Sequence, residues 1–164
     1  MQNKNIRVIA VDPGYERLGI AIIEKSGGAK EELVFSECFK TSAKLSHEKR
    51  LALLGQEIKK VIEKYEPTDM AIEELFFSGN QKTAMKVSEA RGVIIYEGSL
   101  KNLNVYEYKP VEIKIAVTGY GKSTKNQVIA MVKRLIKTPE KTKIDDEFDA
   151  IATGLTHIAS KRFV

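Results

Sequence analysis

The hydrophobic pattern of this chain changes period near residue 45, and that change narrows the architectures open to it. Before that point the apolar residues come in strand-like runs. Ile6 to Val11 is apolar except for Arg7 and stops at Asp12-Pro13-Gly14. Leu18 to Ile23 follows with Gly19 inside it, Ser26-Gly27-Gly28 makes a turn, and Glu32 to Phe39 alternates. Three strands with such short connections predict an antiparallel meander. Beyond residue 45, Leu51, Leu53, Leu54, Ile58, Val61 and Ile62 recur at helical spacing, and Pro67 ends the helix. Met70-Ala71-Ile72 is then a short buried strand closing on Glu73-Glu74. A helix is expected over Asn80–Leu100, interrupted at Gly92, and a fifth strand over Val105–Tyr108. Helices follow over Pro110–Thr118, Thr124–Ile136 and from about Asp145 to Ser160. Strands separated by helices lie parallel. The expectation is an α/β fold: a mixed five-stranded sheet, antiparallel in strands 1–3, parallel in strands 4 and 5, with helices on both faces. With 164 residues and no repeat or linker, one domain spanning 1–164 is expected.

Composition excludes several classes. No apolar run approaches the roughly 20 residues of a membrane helix. The opening Met-Gln-Asn-Lys-Asn lacks the apolar stretch of a signal peptide, so a cytoplasmic protein is expected. Cys38 is the single cysteine, which rules out an internal disulfide and suits a small buried hydrophobe. The two histidines are far apart, so a zinc site is not expected. The net charge is +5, but Lys109 to Lys143 holds nine basic residues against Glu112 and Glu140, a local +7. Such an excess suits a polyanion. A solvated helix face would look the same, and charge alone does not separate the two.

Four carboxylates stand where local structure does not ask for them. Asp12 closes an apolar strand, although Asp-Pro-Gly is also an ordinary turn. Glu73 closes the second buried strand, where neither strand propensity nor burial favours glutamate. Glu74 should face the other way, because strand side chains alternate. Asp146 and Asp149 share one face of the last helix. Acids at a helix start also oppose the macrodipole, a reading that fits Asp146 better than Asp149 and leaves Asp145 as a possible N-cap. His157, eleven residues beyond Asp146 and roughly 16 Å along a helix, is too far to share a metal ion with it and takes a structural or exposed role. Hard divalent ions such as Mg²⁺ and Mn²⁺ prefer carboxylate oxygens. Two of them about 4 Å apart can grip a scissile phosphate. Asp12, Glu73, Asp146 and Asp149, on two strand ends and one helix, could supply such a site in a ribonuclease-H-like nuclease.

Val11-Asp12-Pro13-Gly14, Ala71-Ile72-Glu73-Glu74-Leu75-Phe76, Glu89-Ala90-Arg91-Gly92-Val93 and Asp146-Glu147-Phe148-Asp149-Ala150 together resemble the RuvC family of bacterial Holliday junction resolvases. The likeness runs over roughly residues 6 to 160. It implies a ribonuclease-H-like fold and a homodimer, with the Asn80–Leu100 helix at the dimer surface. It further implies Mg²⁺- or Mn²⁺-dependent nicking of opposed strands at a four-way DNA junction, with two ions per site, and collaboration with the RuvA–RuvB branch-migration complex. Carried over by position, Asp12, Glu73, Asp146 and Asp149 are the catalytic, metal-binding carboxylates. Some relatives carry His at the position of Asp146, and the neighbouring Asp145 and Glu147 compete for that assignment. Lys114 and Lys125 fall where the family places catalytic lysines. Both, with Lys122, are also candidates for DNA contact, and solvation is the plainer reading of each. Phe76 matches a family aromatic that could stack on an unpaired base or wedge a kinked step, with Phe77 the core partner.

Four rival readings can be weighed, and the first two fall. Asp12-Pro13-Gly14 with Gly19 resembles the phosphate hairpin of actin-like ATPases, which need two such halves. Gly121-Lys122-Ser123 suggests a phosphate loop, but the required earlier glycine is Ala116. A non-catalytic nucleic-acid-binding module leaves Glu73 and Asp149 without a purpose. A related ribonuclease-H-like nuclease acting on another nucleic acid shares the same carboxylates.

Overall fold

The computed structural model describes residues 5–75, 81–140 and 144–161. Phe76, Phe77, Asn80, Lys141 and Lys143 lie outside the described residues. In chain order the elements are β1 (Ile6–Asp12), β2 (Arg17–Lys25), β3 (Glu32–Lys40), α1 (His47–Tyr65), β4 (Asp69–Glu73), α2 (Gln81–Leu100), β5 (Asn104–Tyr108), α3 (Pro110–Thr118), α4 (Lys125–Leu135) and α5 (Asp145–Lys161). The strands form one sheet in the order β3-β2-β1-β4-β5. The β1–β2 and β2–β3 pairs are antiparallel, and the β1–β4 and β4–β5 pairs are parallel. The expected mixed five-stranded sheet is what the chain forms.

Strand alternation sorts the core into two layers. Val8 and Ala10 of β1, Ala21 and Ile23 of β2 and Ala71 of β4 face a layer built from α3, α4 and α5. Ile9, Val11, Leu18, Ile20, Ile22, Met70 and Ile72 face the opposite layer, where Leu54, Ile58, Val61 and Ile62 of α1 and Ala90 and Ile94 of α2 pack. The period of two along each strand puts Asp12 on the α5 side with Ala10, and Glu73 there with Ala71.

Several sequence details fix where the helices begin and end. Glu66 takes a left-handed conformation (φ 48°) after α1, with Pro67 following. Pro110 opens α3, and Glu112 Oε2 accepts the backbone N–H of Lys109 at 2.7 Å. Thr124 and Gln127 form a reciprocal cap on α4 (2.8 and 3.3 Å), which sets Lys125 at its first turn. Two expectations need correction. Gly92 does not interrupt α2, because it sits on the exposed side of a continuous helix where a missing side chain leaves no packing defect. Asp145 is already helical, not an N-cap; the backbone N–H groups of Glu147 and Phe148 point to Ile144 O. No described helix is long and apolar enough to cross a membrane.

Helix α5 lies unusually close to the sheet. A Cβ at Gly154 would meet Ile23 Cδ1 at 2.7 Å and Ala10 Cβ at 3.0 Å. The Gly154→Val variant is therefore expected to lose about 1–3 kcal/mol from overpacking, read as a lowered urea midpoint with an unchanged slope.

Candidate active site

Parallel register brings the first two carboxylates together. Val11 of β1 pairs with Ile72 of β4, so Asp12 and Glu73 are the next residues at neighbouring strand ends. Both face α5. Their carboxyl groups lie within hydrogen-bonding reach of each other, an interaction that raises Asp12 and lowers Glu73. Burial first, then the charges of Glu73, Asp149 and Asp146, hold the Asp12 carboxyl well above the usual carboxylate range. Glu73 is raised by burial and by Asp149, against the opposing pull of Lys125 and Lys114. Asp149 is raised by burial, and Lys125 opposes this.

The N-terminal turn of α5 is set over these strand ends by Gly19. A Cβ at residue 19 would stand 2.0 Å from the Asp146 carbonyl oxygen and 3.2 Å from Asp12 Cβ. The close approach demands glycine for space, since Gly19 is not among the residues with positive φ. Along the turn the acids diverge. Asp149 Oδ2 accepts from Lys125 Nζ at 2.9 Å, and Asp145 Oδ2 lies 3.6 Å from the same ammonium. Asp146 turns toward the meander, 3.7 Å from an Arg17 guanidinium nitrogen and 3.8 Å from Cys38 Sγ. Glu147 is buried and accepts from Ser36 Oγ at 2.5 Å.

Two adjoining depressions meet at Glu73 and Pro110. One, of about 280 Å³, is lined by Glu73, Pro110, Ile113, Lys114, Lys125, Val128, Asp149 and Ala152. The other is lined by Asp12, Pro13, Glu73, Glu74, Leu75 and Pro110. The sequence-predicted Asp12, Glu73, Asp149, Lys114 and Lys125 therefore share one concave region. Asp146 acts on it through charge from its edge. Lys122 is exposed on the α3–α4 connection and lines neither depression. Glu74, expected to face away, lines the same hollow as Asp12 because β4 ends at Glu73 and alternation ends with it. His157 is completely buried, so its exposed alternative falls away. Burial and the nearby Asp146 charge push the Cys38 thiol up to about 11, which suits an unreactive side chain.

Sequence reasoning did not single out Arg17, Pro110 or Arg91. Arg91 Nη2 pairs with Glu107 Oε2 at 2.7 Å, and its Nε lies 3.4 Å from Glu73 O. It thus ties α2 to the end of β4. The signal was available in Glu89-Ala90-Arg91-Gly92-Val93, but helical periodicity does not say which face Arg91 takes.

As placed, no three carboxylate, imidazole or thiol groups among the described residues are drawn into a ready metal cage. The acids are engaged with one another and with Lys125 instead. The donor set is nonetheless all oxygen, and three half-buried or buried carboxyls held close together mark a position where positive charge is favoured.

The family model for crossover junction endodeoxyribonuclease RuvC matches residues 8–157. The chain belongs to the RuvC family. The curated RuvC of Caldicellulosiruptor saccharolyticus is 42% identical over 97% of this chain and 96% of its own. That of Halothermothrix orenii is 43% identical over 94% and 93%. Among solved structures, Thermus thermophilus RuvC in complex with a Holliday junction substrate is similar with a TM-score of 0.89, 29% identity and 96% coverage of both chains. The yeast mitochondrial Holliday junction resolvase shares the fold, with a TM-score of 0.66 at 14% identity over 97% of this chain and 85% of its own. RuvC membership and the observed sheet thus agree on one architecture.

The raised carboxyls make a prediction with a definite sign. Where the native pKa exceeds the unfolded one, the folded state holds more protons between the two values, and stability falls as pH rises through the native pKa. In metal-free buffer at pH 7–8, Asp12→Asn should therefore melt about 3 °C or more above wild type, the size of about 1 kcal/mol in a chain this long. The gain should vanish as pH falls below the ordinary Asp value of about 3.9. A pH series of melting curves on both proteins measures it.

Proposed function

We propose that this chain is a structure-specific endonuclease that resolves Holliday junctions by metal-dependent phosphodiester hydrolysis. The observation that carries this reading is the convergence of Asp12, Glu73 and Asp149, with Lys114 and Lys125 beside them, in a chain of the RuvC family. The Thermus relative's junction complex supports four-way DNA as the substrate.

In this reading Asp12, Glu73, Asp149 and Asp146 hold Mg²⁺ or Mn²⁺, two ions per site. Bound there, the ions supply Lewis-acid stabilisation of the phosphate and a lowered pKa for water. The protein's own groups do the rest. Burial first, and then the neighbouring negative charges, raise the Asp12 carboxyl, and both would favour a cation held beside it. Lys125 must part from Asp149 or share it, which frees an ammonium for a phosphate oxygen. Lys114, which lines the same hollow, offers a second cation to the same strand. Lys122 stands outside the hollow and is assigned to the flanking backbone. Phe76, which follows Leu75 at the rim in sequence, is assigned to stacking on an unpaired base.

Homodimerisation through α2 completes the reading. Met85, Tyr96 and Leu100 are exposed there and recur at i, i+11 and i+15, close to one helical stripe. Family membership supports cytoplasmic work with the RuvA–RuvB complex.

A nicking assay on a synthetic four-way junction tests the activity. Wild type should nick with Mg²⁺ or Mn²⁺ and stop with chelator. Asp12→Asn, Glu73→Gln and Asp149→Asn should each slow nicking by about a hundredfold or more. Junction affinity should persist in all three, because phosphate contacts dominate it. Preference for an RNA–DNA hybrid or linear duplex over the junction would favour the related ribonuclease-H-like reading instead. Lys114→Ala and Lys125→Ala should slow nicking and shrink the salt dependence of binding by about one phosphate contact each.

A further inference from the structure

Helix α5 and strand β4 each bring a carboxylate to the site at one end, and each holds a buried polar group at the other. From Asp149 to His157 is eight residues of helix, about 12 Å of rise. From Asp69 to Glu73 is four residues of strand, about 13 Å. The two elements run in opposite directions, so these equal spans meet at both ends. At the far end His157 Nε2 lies 3.1 Å from Asp69 Oδ2. His157 is 0% and Asp69 6% exposed.

The contacts assign the imidazole's roles. The Asp69 carboxylate can only accept, so Nε2–H donates to it, and Nδ1 accepts from the Tyr108 hydroxyl at 2.9 Å. Burial drives the imidazole toward its neutral form, which this pattern requires. Asp69 Oδ1 accepts from Asn104 Nδ2 at 3.0 Å, and Lys161 Nζ stands 3.8 Å from Oδ2 while donating to Tyr106 OH at 2.6 Å. Tyr108 has a second part: paired with Glu73 in the sheet, its carbonyl accepts the backbone N–H of Glu74 at 2.8 Å. Its backbone therefore braces the chain leaving Glu73 while its side chain braces α5.

We propose that Asp69, His157 and Tyr108 form a register clamp that sets how far Asp149 stands from Glu73. The proposal rests on the carboxylate site described above. Close packing at Gly19 and Gly154 already limits the sliding of α5 along the sheet. A directional bond to a buried carboxylate adds to that resistance, because a slip of one residue takes the imidazole N–H away from Asp69 Oδ2 and leaves Asn104 as its remaining partner in the sheet. None of the three side chains lines the hollow, so they are positioning residues.

The test uses the whole chain with His157→Leu, His157→Gln, Tyr108→Phe and Asp69→Ala. Gln keeps an amide N–H near the Nε2 position. Two quantities are read on folded protein: Mn²⁺ affinity by calorimetry, and the Glu73 carboxyl titration by ¹³C NMR, which senses Asp149 without any metal. His157→Leu should weaken Mn²⁺ binding about tenfold or more and move the Glu73 titration, and Gln should restore most of both. His157→Leu with Asp69→Ala should be no worse than the worse single variant. Tyr108→Phe, the mildest change, keeps the test alive if the Leu variant does not fold. Variants that melt earlier yet keep wild-type Mn²⁺ affinity and Glu73 titration would overturn the clamp. If wild type takes up no Mn²⁺, the metal-site reading fails, and the titration arm still decides the clamp.

Discussion

Helix α5 can bring its first turn to the strand ends because residues 19 and 154 carry no side chains. At Gly19 the Asp146 carbonyl occupies the place of a Cβ, and at Gly154 the helix rests on Ala10 and Ile23. Everything chemical in the molecule follows from that closeness. Asp12 and Glu73 would be adjacent in any sheet with this register, but two carboxylates make a shallow site. The descent of α5 onto glycine adds Asp149, and Asp146 at the edge.

The convergence runs against stability. Burial and like charge raise Asp12, Glu73 and Asp149 together. Lys125 offsets part of that charge by pairing with Asp149. A site that keeps unmet negative charge has a standing attraction for divalent cations. The same groups that strain the fold therefore define the chemistry, a pattern expected where function and stability conflict.

Element types and order were legible because the periods are clean. Ile6–Val11 and Met70–Ile72 are too short and too apolar to be anything but buried strands, and α1 shows a plain helical stripe. The misreadings came where local rules stop. Alternation puts Glu74 on the far face, yet β4 ends one residue earlier. Gly92 looked like a break, yet an exposed glycine in a packed helix only weakens it. His157 on its own offered no choice between burial and exposure, because its partner Asp69 is 88 residues away.

What the sequence by itself determined is the set of elements, their parallel or antiparallel sense, and the identity of the acids and lysines that close them. Those are consequences of period, capping and the length of connections, all local. Tertiary structure alone decided which acids meet, that Asp146 turns toward Arg17 while Asp149 takes Lys125, and that His157 anchors the far end of α5. Those outcomes depend on how deeply a helix settles on a sheet and at what offset along it. Both are set by contacts between residues far apart in the chain, which no local pattern encodes.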